Sequence, residues 1–143
     1  MTDAAFLASF EDGSLPNEEF RHRDHLRMTW LYLRRDGLEV GTRSIRDGIR
    51  RFAAAKGATM LYHETLTRVW IRLVAVALAE TGPETAFEAL VAAHPELLDK
   101  RRPWLFYRPE TLASTEAKAG WVEPDLFPLP AILRPWTTPI AAR

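Results

Sequence analysis

Apolar residues recur at three- and four-residue spacings up to about residue 100, and no window alternates apolar with polar positions in the β-branched manner of a strand. The pattern predicts a short helix over Asp3 to Phe10, then a turn at Asp12-Gly13-Ser14 and Pro16. Asn17, followed by Glu18 and Glu19, reads as an N-cap with an acidic first turn, opening one long helix or two in tandem to Arg35 with Gly37 as the stop. A second helix is expected from Thr42 to Lys56, a third from Tyr62 to Glu80 before Gly82-Pro83, and a fourth from Glu84 to Ala93, with a last turn at Leu97-Leu98. Beyond Arg102 the texture changes. Most of the ten prolines lie there, one helix is predicted from Pro109 to Ala119, and Trp121 onward reads as an extended strap too apolar to be a free linker. The expected fold is a single all-α domain over 1–143: an up-and-down bundle of five or six helices through residue 102, then the short helix and strap of 103–143.

Stepping about 100° per residue along the first long helix places His22, His25, Leu26, Thr29 and Leu33 in one arc, with Arg23, Asp24, Arg27, Arg34 and Arg35 opposite. On the third helix His63 shares its arc with Leu66, Thr67, Trp70, Val74 and Ala77, and Glu64, Arg68 and Arg72 lie opposite. In an up-down-up bundle the first and third helices run parallel, so all three histidines fall in first turns at one end. They are expected to converge on one pocket. Glu64, four residues before Arg68, reads most simply as a surface ion pair, and Arg43, Arg46, Arg50 and Arg51 as a solvated face.

Composition narrows the chemistry. The 143 residues contain no Cys, which removes thiol nucleophiles and sulfur ligands and leaves four His. Nineteen Lys+Arg balance nineteen Asp+Glu, so no net field draws nucleic acid or anionic lipid. Val69 to Ala79 is too short and too charged to span a bilayer, and Met1 to Phe6 carries no signal-peptide pattern, so a cytoplasmic, soluble protein is expected, with no nucleic acid and no membrane as partner.

Three readings of the histidines stay open. In the first, His22, His25 and His63 hold a divalent transition metal (Zn, Fe, Mn, Ni or Cu), with Glu64, Glu19, Glu123 or Asp125 completing the set. In the second they line a metal-free pocket as acid, base or hydrogen-bonding groups. In the third they are core residues satisfied by backbone carbonyls or by Tyr32 and Tyr62.

Phe20-Arg21-His22-Arg23-Asp24-His25-Leu26, Tyr62-His63-Glu64-Thr65 leading to Trp70, and Trp121-Val122-Glu123-Pro124-Asp125-Leu126 with Pro128-Leu129 together resemble a widespread family of uncharacterised small bacterial proteins with HxxHL, YHET and WVEPDL motifs. The chain departs from that pattern at Phe20 (Trp expected), Leu61 (Gly expected) and Arg108, where a Ser would cap the Pro109 helix. The resemblance marks His22, His25, Tyr62, His63, Glu64, Trp121, Glu123 and Asp125 as the positions that match the motifs. It also gives the strap one of two roles: over the mouth of the histidine pocket, with Trp121 as lid and Glu123 or Asp125 as polar partner, or as a buried Trp anchor with N-cap or turn carboxylates.

The resulting expectation is a small enzyme acting on a small, anionic molecule. The histidines bind metal, Glu64, Tyr62 and Glu123 are catalytic, and Trp121, Asp125 and Thr29 contact the ligand. The alternative is a non-catalytic module, with a homodimer as one form of it, that binds a small ligand or protein partner at the same end.

Overall fold

The computed structural model describes residues 1–138, so the predicted strap residues 139–143 lie outside the described residues. The chain is helical, as its periodicity requires, and no strand occurs among the described residues. Helix α1 (Asp3–Asp12) is capped by Thr2, whose hydroxyl accepts from the Ala5 N–H at 3.1 Å, and ends at Gly13. Helix α2 (His22–Ala55) bends at Gly37, where φ 84 and ψ 177 interrupt the helical geometry. The two helices predicted on either side of Gly37 are therefore the arms of one hairpin with almost no connector, and the first arm begins at His22 and not at an Asn17 cap, because Asn17–Glu19 form a separate 3-10 turn. Helix α3 (Glu64–Thr81) starts two residues later than its periodicity suggests, because His63 is its N-cap. Helix α4 (Phe87–Ala93) also starts late, because Thr85 still closes a turn onto Gly82 and Thr81. Among the described residues no helix is long and apolar enough to cross a membrane.

Gly41 explains how closely the two arms of α2 approach. It lies opposite Leu33, and a Cβ there would sit 3.0 Å from the Leu33 Cα and 3.0 Å from the Tyr32 carbonyl oxygen. Both obstacles are backbone, so the arms must separate to admit a methyl group. Gly41→Ala is expected to cost about 2 kcal/mol in urea unfolding. A loss under about 0.5 kcal/mol would show that the arms part freely.

The single helix predicted from Pro109 to Ala119 is two: α5 (Pro109–Leu112) and α6 (Thr115–Ala119). Ser114 divides them, its hydroxyl donating to the Thr111 carbonyl at 2.7 Å and accepting from the Ala117 N–H at 3.1 Å. A serine that satisfies local backbone groups in this way favours a cap over a helix interior.

The strap packs on its own subunit. Thr65 donates to the Gly120 carbonyl at 2.7 Å and accepts from the Val122 N–H at 3.2 Å, while the buried Tyr107 hydroxyl donates to the Val122 carbonyl at 2.6 Å. At the far end the Trp136 indole N–H donates to the Leu33 carbonyl at 2.9 Å, and Thr138 lies over Gly37. Phe6, Phe10, Leu26, Leu33, Ile45 and Val74 form the centre of the core beneath these elements.

Candidate functional site

His22 and His25 stand on the first turns of α2, and His63 caps α3, so the chain brings all three to one end of the bundle as their helical phase demands. Together with Thr29 and Tyr62 they line a pocket of about 460 Å³. Its apolar wall comes from Leu26, Ile45, Ile49, Leu66 and Trp70. Among the described residues, Arg21 and Lys100, both exposed, are the only formally charged ones in its lining. Lys100 joins from the turn after α4, a placement that no helical phase could have given.

Each histidine has a distinct local role. The His63 Nδ1 accepts from the Leu66 N–H at 3.0 Å, closing the first turn of α3, and its Nε2 donates to the Leu112 carbonyl at 2.8 Å. Both nitrogens are committed. His22 donates through Nε2 to the Leu97 carbonyl at 2.7 Å and meets the Trp70 ring edge-on at 4.6 Å. A carbonyl only accepts, so this contact fixes the proton on Nε2 and leaves Nδ1 a bare acceptor. Burial holds the His22 pKa below its ordinary value, against the pull of the Leu97 carbonyl. His25 stacks on Phe20 with ring centroids 3.8 Å apart. Burial, then the neighbouring His22, push its pKa down to about 4, so it is neutral at pH 7.

The expected three-histidine metal set is not assembled in this arrangement. Among the described residues no three His, Asp or Glu side chains come together as a group that could hold a metal ion. The physical reason is the cap: a metal on His63 would have to displace either the Leu66 N–H or the Leu112 carbonyl.

Glu64 is not a surface residue. Its side chain is 4% exposed, held by Arg46 at 2.7 Å, Arg50 at 3.2 Å and Arg68 at 3.7 Å. The Tyr62 hydroxyl donates to the same carboxylate at 2.6 Å, and the Arg50 guanidinium lies over the Tyr62 ring at 4.7 Å. The Arg68 pair was legible at four-residue spacing. Arg46 and Arg50, read as a solvated face, were not, because they reach Glu64 from the second arm of α2. Burial alone raises the Glu64 pKa, but the Tyr62 hydrogen bond and the Arg46 and Arg50 cations hold it below its ordinary value. A carboxylate so enclosed positions Tyr62 at the pocket wall, and its oxygens are already occupied.

The third motif lies elsewhere. Trp121, Glu123 and Asp125 line a separate groove of about 750 Å³, between the strap and the helices, with Arg68, Arg72 and Leu38. Trp121 is therefore no lid over the histidines, since Thr65 pins Gly120 and Val122 along the side of α3. Glu123 accepts from the Trp121 indole at 2.9 Å. Asp125 accepts from the Arg108 N–H at 2.9 Å and from the Thr111 hydroxyl, tying the strap to the start of α5, which has no side-chain cap of its own. No family model, curated protein or solved structure matches the chain.

Proposed function

We propose that the protein binds a small organic anion in the His22/His25/His63 pocket, with the neutral imidazoles of His22 and His25 facing the ligand and His63 holding the pocket's frame. The observation that carries this reading is the lining itself: an open, largely apolar pocket to which, among the described residues, Arg21 and Lys100 bring the only formal charges, both cationic. A neutral imidazole is also a proton acceptor, so an acidic proton on the bound molecule would place it within reach of a general base. Two neutral imidazoles in one pocket also supply two nitrogen donors for a divalent transition metal, which is the second reading.

Thermal shift on protein purified without a histidine tag separates the two. A panel of small carboxylates at millimolar concentration is expected to raise Tm by several degrees, unaffected by a chelator. Lys100→Ala, at an exposed position, should remove most of that gain and leave the unliganded Tm unchanged. No shift with any anion, together with a Zn-dependent shift abolished by chelator, overturns the first reading in favour of the second.

A further inference from the structure

Apart from the Trp70 indole, the uncharged polar groups of the pocket wall have spent their protons inside the protein. The Thr29 hydroxyl donates its proton to the His25 carbonyl at 2.8 Å, and the Thr67 hydroxyl to the His63 carbonyl at 2.7 Å. The Tyr62 hydroxyl donates to Glu64, the His22 Nε2–H to Leu97 and the His63 Nε2–H to Leu112. Each of these five groups has spent its proton inside the protein. What they retain is acceptor capacity: the bare Nδ1 of His22 and the lone pairs of the Thr29 and Thr67 hydroxyls, whereas the Tyr62 oxygen already faces Arg46 and Thr67. The donors still available are the Arg21 and Lys100 cations and the indole N–H of Trp70; His25 faces the Phe20 carbonyl.

A ligand that brings only acceptors satisfies the cations and leaves the lone pairs desolvated. An anion that also carries an O–H satisfies both, since the cost of an unmade hydrogen bond in an apolar pocket falls on whichever ligand lacks the partner. We infer that this pocket selects hydroxylated carboxylates with an apolar body: the carboxylate at Lys100 and Arg21, the body against Ile45, Ile49 and Leu66, and the hydroxyl donating to the His22 Nδ1 or a neighbouring hydroxyl oxygen. The inference rests on the pocket being an anion site and adds the requirement for a donor.

Matched ligands test it first on the unmodified protein. Calorimetric titration at pH 7 compares phenylacetate with two hydroxylated relatives, mandelate (2-hydroxy) and 4-hydroxyphenylacetate, and with the methyl ether of whichever binds better. One hydroxylated acid is expected to bind about tenfold more tightly than phenylacetate, and its methyl ether to fall back to the phenylacetate level or below. Phenylacetate binding as tightly as both hydroxy acids, or the ether as tightly as its parent, overturns the donor requirement and leaves the anion site standing. If none of the acids binds, the anion site itself fails, and the inference with it. His22→Phe should reduce the preference for the hydroxyl to less than about threefold while phenylacetate binding persists.

Discussion

Glu64→Gln is expected to lower the stability of the protein by about 3 kcal/mol in urea unfolding at pH 7. The amide keeps the shape of the side chain and can still accept from Tyr62, so the loss isolates the charge. Arg46, Arg50 and Arg68 would then crowd one buried site without a counter-ion, and the Arg46 Nε is already buried with no partner among the described residues. Breaking one side of a buried pair costs about 3–5 kcal/mol, and the part-exposure of the arginines places this case at the lower end. Salt provides the control, because 0.5 M NaCl screens an exposed pair and scarcely touches an enclosed one. A loss of about 0.5 kcal/mol that disappears in salt is the signature of a surface pair and would remove Glu64 from its buried role.

The second large effect is a fall in stability on acidification that begins well above the carboxylate range. The folded-state pKa of His25 is depressed to about 4 by burial and by His22, and its unfolded value is near 6.5. Below pH 6.5 the unfolded chain therefore binds the proton first. The contribution of a neutral, buried imidazole is complete above pH 6.5 and is lost as pH falls toward 4, a total of about 3 kcal/mol. His22, lowered in the same direction, adds to it. Asp24 opposes the shift and Lys100 reinforces it, so both belong to the same local balance. Glu64, Asp12 and Asp125 are also held low, but they lose their contributions only below about pH 4.5, beyond most of the histidine window. Urea unfolding from pH 7.5 to 4.5 should slope downward in the unmodified chain and flatten in His25→Gln. A histidine resonance assigned to His25 that titrates above pH 6 would contradict the enclosed ring.

Much of this was legible from residue order alone. The 3.6-residue period gave the helices, and Gly37 marked the break between the two arms of α2. The phase of His22, His25 and His63 gave the shared pocket, because two parallel helices with histidines in their first turns leave little alternative. A helical phase describes only its own helix, however. It placed Glu64 away from the α3 stripe without showing that Arg46 and Arg50 of α2 enclose that face. The use of His63 as an N-cap depends on its φ of −131 and ψ of 110, where the phase alone had made it one more inward side chain. The path of an extended segment carries no period at all, so the position of Trp121 beside Arg68 and Arg72, away from the histidines, is set by hydrogen bonds from Thr65 and Tyr107 that no spacing announces.

The Trp136 clasp on Leu33 joins positions 103 residues apart. Closing a loop of that length costs about 4 kcal/mol of chain entropy, several times what one indole hydrogen bond contributes. Once Val122 is anchored on Thr65 and Tyr107, the open segment shrinks to about 14 residues and the cost to about 2 kcal/mol. Arg72, donating to the Pro130 carbonyl, halves the remaining span again. Loop-closure entropy therefore favours docking Val122 before Trp136. The walls of the histidine pocket are drawn from residues 20–70 and Lys100, so no strap residue belongs to them.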